Sequence, residues 1–231
     1  MVSVCMTTYN GERFLKNQLD SILCQLSDND ELIIGDDAST DQTVNIIKSY
    51  NDHRIKLIEN SYTIGINANM ENIILKSKGQ VILLSDQDDV WHTKKVEVYK
   101  KELEKYDFIS SDSSIIDQNN NEIIPSFFTL VHARPGLMHN LYKNCYMGHS
   151  LGFKRHMIKS FLPIPSNVPM YDWWFGLVAE KAGTIKLIEK KLQQYRRHNN
   201  NQSTTSRSSS RTLAGKIMSR IRLAYLLLKI N

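Results

Sequence analysis

The chain has 231 residues, 41% of them hydrophobic, and a formal net charge of +5. That length supports one substantial core, so one α/β domain with a C-terminal appendage is expected and a second domain is not required. Three cysteines, Cys5, Cys24 and Cys145, form no CxxC pair and leave an odd count, which argues against a disulfide framework and for a reducing compartment.

In chain order, MVSVCMTTYNG lacks the basic segment and long apolar run of a signal peptide. It reads instead as a first strand, Val2 to Met6, and a loop through Gly11, in a chain expected to stay in the cytoplasm. Leu15, Leu19, Ile22, Leu23 and Leu26 then keep helical spacing. A second strand, Glu31 to Gly35, ends in Asp36 and Asp37, and Thr40 or Asp41 is placed to cap a helix carrying Val44, Ile46, Ile47 and Tyr50. Arg54 to Ile58 is a third strand, and Ile66, Met70, Ile73 and Ile74 mark a helix. Gly79 turns the chain into a fourth strand. Four strands alternating with helices predict a parallel sheet.

The fourth strand runs into the stretch that organises the rest, VILLSDQDDVW. A buried strand delivers Asp86, Asp88 and Asp89 to its carboxyl end, where ligands of open α/β sheets collect. Packed carboxylates repel one another unless a cation, water or protons intervene, and hard oxygen ligands suit Mg²⁺ or Mn²⁺. A solvated acidic loop is the competing reading. Asp89 is placed either to ligate or to supply negative charge at the start of the helix with Val96, Tyr99 and Leu103. Trp91 and His92 read as packing and surface.

Beyond Asp107, FISSDSSIID and NEIIP flank a turn at 119–121, so the sheet should become mixed. Residues 127–144 show no clean period and read as a loop region. In CYMGHSLGF, His149 reads first as a structural histidine. Asp172 precedes Trp173 and Trp174 on a helix closed by Gly183, a low-dielectric setting that raises a carboxyl pKa toward the range of a general base; a helix N-cap is the alternative. At least one of the two tryptophans should be core. Thr184 to Ile188 is a further strand, and Arg196, Arg197 and His198 follow with cationic donors and a possible metal ligand.

All 24 acidic residues lie at or before Glu189, whereas Lys190, Lys191, Arg196, Arg197, Arg207, Arg211, Lys216, Arg220, Arg222 and Lys229 follow it. A basic tail on an acidic body points to an anionic partner. Ser203 to Ser210 reads as a mobile linker, and the sequon at Asn201 as a chance match. Leu213, Ile217, Ile221, Ala224 and Leu228 mark one face of an amphipathic C-terminal helix, too short in apolar run to span a bilayer of about 20 residues. It is expected to lie on an anionic membrane; packing on the domain or on a second copy is the alternative. Its cations alternate with aliphatics instead of stacking aromatics, which disfavours nucleic acid.

A dinucleotide-binding domain would want GxGxxG after the first strand, but TTYNGERF has one glycine. Taken together, VSVCMTTYNG, IIGDDASTDQT, Asn69 and KGQVILLSDQDDVW with Lys95 resemble family 2 glycosyltransferases of the GT-A fold, nearest the rhamnosyltransferase-like enzymes of bacterial surface polysaccharides. The likeness runs through the first hundred residues and returns near Tyr171. It implies an open, mostly parallel mixed sheet flanked by helices over 1–202, with 203–231 as appendage. It also implies inverting transfer of a sugar from a nucleotide-diphosphate donor to a glycan or lipid-linked hydroxyl.

Carried over by position, the resemblance assigns the donor to Thr8, Tyr9, Asn10, Asp36, Asp37, Asn69, Asp86, Gln87 and Lys95, with Arg196 and Arg197 closing over the diphosphate. Asp88 and His198 would hold the cation, and Asp172 would be the base. A carboxylate such as Asp37 can accept the imide hydrogen of uracil or thymine, which favours a UDP or dTDP donor. The remaining alternatives are a nucleotidyltransferase, which wants a glycine-rich basic loop absent here, and a catalytically silent nucleotide-sugar binder. The sequence sets no oligomeric state, and it leaves sugar, acceptor and linkage open.

Overall fold

The structure, a computed structural model, describes residues 1–198 and 212–230. The expected linker at 203–210, the Asn201 sequon and the 202/203 boundary lie outside the described residues. The first half alternates as the sequence predicts: β1 (Val2–Thr8), α1 (Leu15–Leu23), β2 (Glu31–Asp36), α2 (Thr43–Ser49), β3 (Ile55–Glu59), α3 (Ile66–Lys76) and β4 (Val81–Ser85). There follow β5 (Val90–Trp91), α4 (Lys95–Glu102), β6 (Phe108–Ile116), β7 (Glu122–Ile124), α5 (Phe127–Val131), α6 (Leu137–Tyr142), β8 (Leu151–Lys154) and α7 (Ile158–Phe161). The chain ends with α8 (Tyr171–Ala182), β9 (Ile185–Arg196) and α9 (Leu213–Leu228).

Among the described residues these strands form one nine-stranded sheet ordered β3-β2-β1-β4-β8-β6-β9-β5, with β7 added to β6. The first four run parallel, as crossover helices require, and β8, β7 and β5 make antiparallel pairings that leave the sheet mixed and open. Strand period two divides the core. β1 sends Val4 and Met6 into a cluster under α1 and α4, and Cys5 into a second cluster under α3 and α8.

Three expectations change. Residues 127–144 hold two short helices in place of an unstructured loop. With five and six residues each is too short to display a 3.6 period. Ser126 caps α5 by accepting from Thr129 N at 3.0 Å, while Asp112 accepts from Ser126 Oγ at 2.6 Å and Phe128 N at 2.8 Å. The strand expected to end at Ile188 continues to Arg196, through Glu189, Lys190 and Lys191, because it pairs with β6 along its length and with β5 on its other side at Gln193 and Gln194. Lastly, α2 is capped by neither Thr40 nor Asp41 at the formal position, which is Gln42; Asp41 instead accepts from Thr43 N at 2.9 Å.

Helix α9 packs through Leu223 and Leu227, which are buried, and Lys181 Nζ donates to Leu227 O at 2.8 Å. The stripe expected to be its apolar face, Ile217, Ile221 and Leu228, is exposed. Among the described residues no helix is long and apolar enough to cross a membrane.

Candidate active site

β1 lies between β2 and β4, with Thr8 level with Asp36 and Met6 level with Ser85. The tips at 36–37 and 86–89 therefore flank the loop after β1, about 10 Å apart at the usual strand spacing. Gln87 fixes that loop: its Oε1 accepts from Tyr9 N at 2.9 Å and its Nε2 donates to Tyr9 O at 3.0 Å. A Cβ on Gly11 would stand 2.2 Å from Gln87 Oε1, so only glycine permits the approach. Asn10 Oδ1 accepts from Thr40 N at 2.8 Å, tying the β1 loop to the β2 loop. The Tyr9 ring stays exposed at this rim.

Asp36 accepts from Thr8 Oγ1 at 3.0 Å and from Ser39 N at 2.8 Å. Asp37 accepts from Ile64 N at 2.8 Å and Gly65 N at 3.0 Å, which holds the loop before α3 against the β2 tip. Asn69 is buried, and its Nδ2 donates to Gly35 O at 2.7 Å. Its observed partners are protein atoms. Asn69→Ala should lower stability by ~1–3 kcal/mol in urea unfolding, because it removes a buried hydrogen bond to Gly35 O and the acceptor of Asn60 Nδ2.

Across the crevice stands the start of α8. Asp172 lies in the first turn, not at the N-cap, which is Met170. Its Oδ1 accepts from Trp173 N at 2.5 Å and its Oδ2 from Gly148 N at 3.2 Å. Burial pushes its carboxyl up to about 6, against the pull of those two amides. The preceding Tyr171 lies beside Asp86; burial, together with that charge, raises the phenol's pKa, and a Cβ on Gly148 would stand 2.2 Å from the Tyr171 hydroxyl. Asp86 is raised above the usual carboxylate range by burial and by the charges of Asp88 and Asp172. The 86–89 tip and Asp172 thus share one electrostatic neighbourhood.

Behind this rim is a buried polar knot. Asp89 is fully buried, its Oδ1 accepts from Arg196 N at 2.9 Å, and its Oδ2 lies 3.5 Å from His149 Nδ1. Burial, then Asp88 and Asp86, raise its pKa well above normal. Lys95 is equally buried, donates to His149 O at 2.6 Å and lies 4.0 Å from the Trp91 ring centre; burial lowers it to about 7 against the attraction of Asp89 and Asp86. Burial and then Lys95 lower His149 to about 3, so its imidazole is neutral, stacked 4.9 Å from Tyr195.

Two residues depart from the roles the resemblance gives them. Arg196 is 1% exposed, and its Nε donates to Asp88 O at 2.8 Å and its Nη1 to Asn120 Oδ1 at 2.7 Å. It braces the acidic loop from behind, because β9 runs on past Ile188 and buries it. Lys95 likewise holds the Gly148 turn from the protein interior. Arg197 N donates to Ile116 O at 2.8 Å, which extends the β6–β9 pairing. His198 Nε2 lies 2.7 Å from Asp88 Oδ2, and its ring 5.0 Å from Phe14.

These donors fit a hard divalent cation in two groupings. Asp88 and His198 form one pair; Asp86, Asp89 and His149 present ligand atoms all within 4.8 Å of one another. In the second, Asp89 Oδ2 and both His149 ring nitrogens are buried without hydrogen-bond partners. Within that group Asp89 and His149 are sealed, while Asp86, its side chain 31% exposed, faces outward, and Lys95 adjoins it through His149 O. A catalytic cation needs positions open to substrate oxygens; Asp88 and His198 are both partly open, with side chains 12% and 11% exposed, whereas two of the three ligands of the other group are closed off.

Tyr171 beside Asp86, and Phe14 against His198, were invisible in sequence. Each contact joins segments far apart in the chain and carries no local pattern.

Comparison with known proteins agrees with this geometry. The family model described as "Glycosyl transferase family 2" matches residues 3–193. UDP-Glc:alpha-D-GlcNAc-diphosphoundecaprenol beta-1,3-glucosyltransferase WfgD of Escherichia coli is 34% identical over 151 residues, 64% of this chain and 57% of that one. Among solved structures, S. aureus TarS in complex with UDP-GlcNAc superposes with a TM-score of 0.77 at 18% identity, covering 100% of this chain and 67% of that one. The mannosyltransferase PcManGT from Pyrobaculum calidifontis, in complex with GDP-Man and Mn²⁺, gives a TM-score of 0.66 at 17% identity over 87% of this chain and 58% of that one. The chain spans about half the length of the curated relatives it matches. With a sheet of GT-A type, acidic loops at its strand ends and a family match over most of its length, the chain belongs to glycosyl transferase family 2.

Proposed function

We propose that the chain is an inverting, metal-dependent glycosyltransferase that moves a sugar from a UDP or dTDP donor to a hydroxyl of a lipid-linked glycan. The observation that carries this reading is the placement of Asp172, buried and raised in pKa, beside the 86–89 tip. The nucleoside lies over Tyr9 with Thr8, Asp36 and Asp37 beneath it, and Asp86 faces the ribose. Asp88 and His198 hold Mg²⁺ or Mn²⁺, which when bound neutralises charge growing on the departing diphosphate. Arg197 follows the brace at Arg196 and closes the diphosphate side.

Asp172 accepts the proton of the acceptor hydroxyl as that oxygen attacks the anomeric carbon from the side opposite the diphosphate. The C–O bond to the donor breaks as the bond to the acceptor forms, so the configuration inverts. Residues 1–202 form the catalytic domain. Residues 203–231 place the chain on the inner, cytoplasmic face of the membrane, where a diphosphate-lipid acceptor such as that named for WfgD would lie.

Because Asp172 must be ionised to accept a proton, and burial raises it to about 6, kcat should fall about ten-fold per pH unit below that value and level off above it. A pH–rate profile with saturating donor tests this; a flat profile from pH 5 to 8 would contradict a base at Asp172.

A further inference from the structure

Helix α9 has two apolar sides. Leu223 and Leu227 are buried against the domain. At 3.6 residues per turn, Ile217, Ile221, Tyr225 and Leu228 fall on the opposite side, and all four are at least half exposed. This outer side continues onto α6, where Met138 is 76% and Tyr142 is 73% exposed. Arg220 joins the two helices: its Nη2 donates to Tyr142 O at 2.7 Å, and its guanidinium lies 5.4 Å from the Tyr142 ring centre. Contiguous exposed side chains of this size on two adjacent helices mark an interaction surface.

We infer that α6 and α9 together form a docking face for an anionic lipid bilayer, oriented so that the acceptor side of the crevice opens at the membrane. This rests on the proposed glycosyltransferase reading and extends it from the C-terminal helix to α6. Charge selects the occupant. Arg222 and Lys229 are exposed along the outer side of α9, Lys143 is exposed at the end of α6, and no acidic residue follows Glu189. A second copy meeting this face about a two-fold axis would bring those cations together, whereas anionic headgroups would neutralise them. An apolar side flanked by arginine and lysine is the pattern of a helix lying in the headgroup plane.

The face is wired to the candidate base. Trp173 Nε1 donates to Asn140 O on α6 at 2.8 Å, and Arg220 of α9 lies 5.8 Å from the Trp173 ring centre. Trp173 directly follows Asp172. A chain seated by α6 and α9 therefore holds the start of α8 next to the bilayer, within reach of a sugar attached to a lipid diphosphate.

Flotation of the full chain with phosphatidylcholine vesicles, with and without phosphatidylglycerol, tests the face without donor or acceptor. The chain should float with phosphatidylglycerol and stay behind without it. Ile221→Asp with Leu228→Asp on α9, and separately Met138→Asp on α6, should each weaken vesicle binding by about ten-fold with an unchanged melting temperature. Equal flotation on neutral vesicles, undiminished binding of the Met138→Asp chain, or a dimer in solution that the α9 variant dissociates would each overturn the proposal. A chain that floats as expected yet transfers no sugar supports this face and counts against the enzymatic reading, so the two fail separately.

Discussion

Replacing Asp172 by Asn is expected to lower kcat by ~10²–10⁴ while leaving donor affinity unchanged. The size follows from removing the proton acceptor and nothing else. Asn has nearly the same shape, and one of its terminal atoms still accepts a hydrogen bond from Trp173 N or Gly148 N. Its amide group cannot accept the other, so unfolding stability should drop by about 1 kcal/mol. A carboxylate present only for its charge in the first turn of α8 would leave the rate untouched. Stability would then fall by ~0.3–1 kcal/mol with transfer intact. Initial rates with a lipid-linked acceptor, measured beside urea unfolding, separate the two.

The second large effect concerns the cation. Stripping divalent metal, or replacing Asp88 by Asn, is expected to reduce transfer by at least about a hundred-fold, with Mn²⁺ restoring the native chain only. Asp88 carries this because it is the acidic side chain of the tip that meets an imidazole at 2.7 Å while remaining partly open to the crevice. Asp89 is different. It is sealed behind the rim and tied to Arg196 N, so Asp89→Asn should loosen the β9 end more than it weakens metal binding.

Much of this was legible in the sequence because local patterns carried it. The alternation of apolar runs and helical spacing through Ser85 carried the parallel half of the sheet. Acidic clusters directly after strands marked the rim, since a parallel sheet must bring those ends to one side. What could not be read depends on distant pairing. Lys190 and Lys191 look like a strand terminus, yet β9 stays extended across them by pairing with β6 on both sides of this point. Arg196 looks like a phosphate grip until its burial behind Asp88 is known, and Lys95 until its bond to His149 O is known. Two helices of five and six residues leave no periodic trace, so α6, half of the proposed lipid face, had no signature either.

The most direct test of the central claim, that these strand ends bind a nucleotide diphosphate through a cation, is a calorimetric titration of UDP-glucose and dTDP-glucose into the chain, first with Mn²⁺ and then with EDTA. The account predicts saturable binding of one of them with Mn²⁺ and its loss on chelation. Binding that is indifferent to metal, or binding of NAD in place of either sugar nucleotide, would contradict it.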